Sequence, residues 1–277
     1  MVLRKQRGQM LLIVILGIIV TLTIGLSLAT RSITNLRSST EEAESQKALA
    51  AAEAGIERAI QSNKGISVET PLGNGSTFTT NVSKVGEQAK ILLNAGSPVS
   101  KDEGIDVWFQ KHNEDGTLDP LNFTAPSNTI LYWSSPGSST TCGDSAIQVI
   151  VLTMNIAGTA KTYRYAYDGC STRGNHFTAA DSGPYNNIVN VNDSFRNKTP
   201  DNDLASGLPP GDKVVFMRVV PIYKDAIIAI TNGSQLPLQG YQIDSAGKFG
   251  EANRKIRVVK GWPQTYLPYL SYGLFVP

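Results

Sequence analysis

The chain has 277 residues, with 25 Lys and Arg against 23 Asp and Glu and only two His and two Cys. Three of the 25 basic residues, Arg4, Lys5 and Arg7, fall within the first eight positions, so the remainder carries 22 (25 − 3) against 23 acids and is close to neutral. That balance excludes a strong phosphate-binding electrostatic footprint, and two His with two Cys leave little material for a zinc site.

From Gln9 to Thr30 the chain has no proline and no charge. A membrane-crossing helix needs roughly 20 predominantly apolar residues, a requirement that positions 9–30 meet. No small-x-small cleavage site interrupts the run, so ordinary signal-peptide removal is not expected. The basic residues lie on one side of the span, which predicts a cytoplasmic N-terminus and places the rest of the chain outside. Past Thr30 neither proline nor glycine occurs until Gly55, and Ala, Glu, Gln and Lys dominate 41–54. One helix over about 9–61 is therefore predicted, on the order of 80 Å long at about 1.5 Å per residue. Leu49, Ala52, Ile56 and Ile60 recur at three- and four-residue steps and form a stripe suited to docking on a β-sheet.

All fourteen prolines fall after residue 62, among Ser, Asn and Thr clusters that separate short β-branched runs. The 215 residues of this part (277 − 62) suffice for one large β domain or two smaller sheets. The fold class is thus α+β: a long N-terminal transmembrane and amphipathic helix packed on a β-rich C-terminal region. Strands are predicted at 77–85, 89–94, 105–110, 129–133, 147–156, 162–168, 214–223, 226–231 and 254–259. The clearest hairpin turns through Ala157-Gly158-Thr159-Ala160 and puts Tyr163, Tyr165 and Tyr167 on one face. A second turn is expected at 245–250. Segment 168–210 reads as loop, and 214–220 as a buried central strand halted by Pro221.

Cys142 and Cys170 flank the 147–168 hairpin almost symmetrically, so folding it brings both to its open end. In an oxidising compartment a structural disulfide is expected. Asn113-Glu114-Asp115-Gly116-Thr117-Leu118-Asp119 has carboxylates around a glycine, as calcium loops do, but Lys111 stands where the first ligand belongs, and a polar turn is the simpler reading. Glu41, Glu42 and Glu44 sit beside Arg31, Arg37 and Lys47 as partners of neighbouring helices or as solvated charge rather than as paired catalytic acids. Aromatic residues from Trp262 to Phe275, punctuated by Pro263 and Pro268, are expected to close over the sheet. There is no phosphate loop, Ser/His/Asp set or dinucleotide fingerprint, so no enzyme activity, cofactor or metal is expected.

A basic leader ending in glycine, an apolar helix that continues outward and a distal β-rich domain together resemble the type IV pilin superfamily. Arg7-Gly8-Gln9 and Ala51-Ala52-Glu53-Ala54-Gly55-Ile56-Glu57 are similar to the PilX N-terminal-domain family of minor pilins, over residues 4–60, about a fifth of the chain. The resemblance implies a leader at 1–8, a helix at 9–62 with its membrane span at 9–30, and an extracytoplasmic domain at 63–277. It also implies a prepilin peptidase that cuts between Gly8 and Gln9 and methylates the new terminus, other pilins as partners through the helix, and an inner-membrane assembly platform. Residence would be in the cytoplasmic membrane as a single pass, N-in and C-out, and then at the cell surface in a pilus.

The sequence departs from the superfamily at one place. Major pilins carry glutamate as the fifth mature residue, where this chain has Ile13, and no acid lies anywhere in 9–30. A buried terminal ammonium without a carboxylate partner is costly, so a filament tip suits the chain better than the shaft. The alternative is a membrane-anchored extracytoplasmic binding protein or adhesin that enters no filament, for which Gly8 need not be cut.

Overall fold

The structure, a computed structural model, describes residues 7–62, 65–113 and 115–262, with side chains from Leu11 onward. The chain divides into two compact units, Met1–Asn81 with Asp244–Ile256, and Val82–Ile243 with Arg257–Pro277.

The first unit is organised by α1 (Arg7–Ser62), an unbroken helix of 56 residues. It is long and apolar enough to cross a membrane. Every large hydrophobic side chain from Leu11 to Leu36 is exposed. The threonine hydroxyls in this stretch are satisfied within the helix. Thr21 Oγ1 donates to Gly17 O at 2.8 Å, Thr23 Oγ1 to Ile19 O at 2.9 Å and Thr30 Oγ1 to Leu26 O at 2.8 Å. A hydroxyl bonded back onto its own helix needs no water, which suits a hydrocarbon environment.

Further along, α1 buries one face: Ala48, Ala51, Ala52, Gly55, Ile56 and Ala59. The predicted stripe is corrected at both ends, because Leu49 is 42% and Ile60 is 36% exposed. The reason is backbone proximity. A Cβ added at Gly247 would strike Ala48 O, Ala52 N and Ala51 Cβ, and one added at Gly55 would meet the Phe78 ring and Ser245. Only small side chains fit between a helix and a strand that approach this closely. At the rim, Lys47 Nζ lies 4.2 Å from the Phe249 ring centre and Arg58 sits 5.2 Å from that of Phe78. Arg254 Nε donates to Ser45 Oγ at 2.8 Å.

A four-stranded sheet runs in the order β1-β2-β15-β16, with β1 Ile66–Pro71, β2 Thr77–Gly86, β15 Leu238–Phe249 and β16 Ala252–Gly261. Strand β15 continues through Ser245, Ala246 and Gly247, and the chain turns at Gly250, where φ is +55°. The turn expected at 245–250 therefore sits at its far end, because the small residues at 245–247 serve close approach to α1 rather than reversal of the chain.

The second unit holds two five-stranded sheets and a hairpin. One sheet has the order β10-β9-β8-β13-β4: Thr178–Ala179, Ala160–Asp168, Ala146–Met154, Lys213–Ile222 and Ile105–Trp108. The other has β11-β12-β7-β14-β3: Asp181–Asn186, Ser194–Lys198, Ile130–Ser134, Ile227–Thr231 and Lys90–Leu92. The hairpin pairs β5 (Gln110–His112) with β6 (Leu118–Phe123).

Val149, Val151, Tyr167, Met217 and Val219 of the first sheet share one core with Leu131, Trp133, Ile228 and Ile230 of the second, which makes a sandwich. Ile150, Phe216 and Trp108 form a separate cluster on the opposite face of their sheet. Strands β8 and β13 are thus covered on both sides and read as continuous apolar runs. Tyr163, Tyr165 and Tyr167 all join the shared core, as their alternation predicted.

Two sequence readings are corrected here. Segment 168–210 carries β10, β11, β12 and the one-turn helix α2 (Asp203–Ser206). Strands β10 and β11 are polar because they lie at sheet edges, and Pro184 sits in β11, whereas β12 is paired with β11 and β7 and only alternates between buried and less buried positions. Pro221 does not halt β13, which runs on to Ile222. Strand β4 pairs no further than Ile105, opposite Val219, so on that side Pro221 needs no N–H for a ladder and only accepts from Asp102 N at 2.9 Å, while on the other side β8 presents Ile147.

Candidate functional site

Three places carry chemistry. At the first, the N-terminal helix, the backbone is helical at Gly8 and Gln9, whose side-chain surroundings, like residues 1–6, lie outside the described residues. Ile13 is 64% exposed on the bare apolar part of α1. Outward of it, Glu41 pairs with Arg37 at 2.9 Å, and Glu44 Oε2 accepts from Glu251 N at 3.4 Å.

The second is the braced corner at the open end of the β8–β9 hairpin. Cys142 and Cys170 are bridged, with Cα atoms 4.5 Å apart. Two buried acids tie the surrounding loops together. Asp168 accepts from Cys170 N and from Arg173 Nη1, both at 2.8 Å. Asp144, fully buried, accepts from Ser135 N at 2.9 Å and lies 3.0 Å from Arg196 Nε. Each carboxylate meets a cation and a backbone donor, the condition under which buried charge is tolerated. Its partners and closed loops make this corner structural.

The third, which sequence reasoning missed, is a groove of about 770 Å³ within the second unit. Phe123, His112, Tyr241 and Trp262 supply its aromatic wall, and buried Trp108 backs them, with His112 meeting it edge-on at 4.5 Å between ring centres. Trp262 then stacks on His112 at 4.4 Å with planes 5° apart, and Tyr241 meets Trp262 edge-on at 6.3 Å. Hydrogen bonds fix the wall. Trp262 Nε1 donates to Leu238 O at 2.7 Å, while the Gln239 side chain accepts from Trp108 N at 2.7 Å and donates to Trp108 O at 2.9 Å. Burial between two indoles lowers the His112 pKa from 6.5 to about 4, so the imidazole is neutral at physiological pH. The opposite side is polar, with Asn113, Asn122 and Gln235 beside Lys111 and a Lys84–Glu87 pair at 3.1 Å.

Tyr241 and Trp262 are far in sequence from the segment that holds His112, so no spacing pattern announces the three together. The only available signal was the aromatic density at Trp262, most of which continues into residues outside those described.

The calcium-like segment forms the turn of the β5–β6 hairpin, and its acids are engaged locally. Asp115 Oδ1 accepts from Thr117 N at 2.9 Å and from its hydroxyl at 2.6 Å, while Asp119 Oδ1 accepts from Leu121 N at 3.0 Å. Glu114 lies outside the described residues. Among the described residues no three His, Cys, Asp or Glu side chains are grouped to hold a metal ion. No family model matches the chain, and neither a curated protein nor a solved structure shows significant similarity to it.

Proposed function

We propose that this protein is a minor pilin-like structural subunit of a type IV pilus or related filament, without enzymatic activity, seated at or near the tip and aiding the start of assembly. The observation that carries the reading is the division of labour along α1. The large hydrophobic side chains of its apolar portion from Leu11 to Leu36 are all exposed, while its portion from Ala48 to Ala59 packs closely on strands of the same unit. A plain membrane anchor needs about 20 residues, and α1 has 56. A helix that anchors in a bilayer and later packs among other apolar helices accounts for the excess. The leader charges Arg4, Lys5 and Arg7 support an N-in, C-out orientation before assembly.

The test is the mature N-terminus. Mass spectrometry of the native protein is expected to find Gln9 first and methylated, and Gly8→Leu is expected to leave a species longer by eight residues. An intact Met1–Gly8 segment on the native protein would defeat the filament reading and leave the membrane-anchored binding protein in its place.

A further inference from the structure

We propose that the groove between Trp262 and Gln235 binds an oligosaccharide. The site belongs to the second unit alone and is independent of whether the chain enters a filament. Ordinary small-molecule pockets are lined mostly by apolar groups. This groove combines an aromatic wall of Phe123, Tyr241 and Trp262 with amides of Asn122 and Gln235 and the ammonium of Lys111.

That combination matches a pyranose. A sugar ring presents a patch of C–H bonds that packs on an aromatic face, and a rim of hydroxyls, each both donor and acceptor. A carboxamide also donates and accepts, so amides serve hydroxyls in either sense where a row of cations would not. The Asn122, Gln235 and Lys111 side chains are exposed. Among the described residues neither the Gln235 amide nor the Lys111 ammonium has a hydrogen-bond or ion-pair partner within the protein. The aromatic wall is fixed before any ligand arrives, through the Trp262 Nε1 bond to Leu238 O and the stack on His112. A preformed wall reduces the ordering that binding would otherwise demand.

The charge argues against a nucleic-acid strand. Lys84 is neutralised by Glu87, which leaves Lys111 as the cation beside the polar wall, and His112 is uncharged. A phosphate chain calls for a track of cations.

The experiment uses the purified full chain in detergent, screened against an array of defined neutral and acidic oligosaccharides and against oligothymidylate, with tryptophan fluorescence as the solution readout. Wild type is expected to bind at least one class of oligosaccharide with a change in indole emission. Gln235→Ala and Lys111→Ala, both at exposed positions, are each expected to weaken that binding about tenfold, the equivalent of one good hydrogen bond, with an unchanged melting temperature. Ile156→Ser, at an exposed turn that does not line the groove, is expected to change nothing. Absence of binding to every array member overturns the proposal, as does binding that is indifferent to both groove substitutions. Preferential, salt-sensitive binding of oligothymidylate also overturns it and makes the groove a nucleic-acid site. Oligosaccharide binding confined to a chain shortened after Trp262 overturns it too, and assigns the groove to the protein's own C-terminal residues.

Discussion

His112 shows how one side chain can be fixed by its neighbours and in turn set a pH limit. It is 93% buried (7% exposed), its Nδ1 has no hydrogen-bond partner, and Trp108 and Trp262 cover its ring. Its folded-state pKa of about 4 lies below the 6.5 of the unfolded chain. Between those values the unfolded state takes up a proton that the folded state refuses, so stability falls as pH drops through that window and is undiminished above it. The full penalty below pH 4 is on the order of 3 kcal/mol. His112→Phe, which keeps a flat aromatic ring, is expected to remove this component. Urea unfolding of both proteins at pH 7.5 and pH 4.5 checks it, since His176 and the carboxylates are common to both. An equal loss for the two proteins would show that His112 titrates as a solvated imidazole. Other residue-scale pairings were equally unreadable in advance. Arg218 lies within an apolar strand, and its Nε and Nη2 bonds to Asp106 at 2.7 and 2.9 Å span 112 positions in sequence.

At the scale of elements, the join between α1 and β15 depends on the absence of side chains. Gly247→Val is expected to destabilise the protein by about 3 kcal/mol, because the strand backbone already touches the helix at Ala48, Ala51 and Ala52 and overpacking there has no soft neighbour to displace. Gly73→Ala, in an open turn with nothing within 4 Å of the added Cβ, is expected to change stability by less than about 0.5 kcal/mol. Thermal unfolding of the two variants separates these outcomes, and equal melting temperatures would contradict the close packing. The same join shows what periodicity can and cannot reveal. A helix free of proline and rich in alanine was legible from composition, and so were β8 and β13, whose apolar runs reflect cover on both faces, and β9, through its alternating tyrosines. The docking face of α1 was legible at Ala52 and Ile56 but not at its margins, because hydrophobicity ranks Leu49 and Ile60 above the alanines that in fact fit. The edge strands β10 and β11 were hidden for a related reason, since a strand paired on one side and wet on the other is free to be polar. The groove was the least legible of all, because its walls come from five separate segments, 84–87, 111–113, 122–124, 235–241 and Trp262.

For the molecule as a whole, under the proposed pilin-like role, the absence of an acid in 9–30 predicts where in the filament it sits. In a packed array of apolar helices each terminal ammonium must find a carboxylate or stay near water, since burying it unpaired costs several kcal/mol. Ile13 offers no carboxylate to a following subunit. The expected outcome is low copy number at one filament end, and fewer or no filaments when the protein is missing. Ile13→Glu is expected to make the chain more compatible with the shaft. Immunogold labelling checks this, and even decoration along the filaments would rule out a tip location.

The bridge between Cys142 and Cys170 acquires a second meaning for any protein that bears load. The bonded residues are 28 positions apart in sequence, so at about 3.4 Å per residue roughly 95 Å of contour length is withheld from a chain drawn out by its ends. That stretch contains both β8 and β9. Tension entering along the backbone passes from Cys142 to Cys170 through sulfur, and the hairpin that supplies much of the sandwich core is left out of the line of pull.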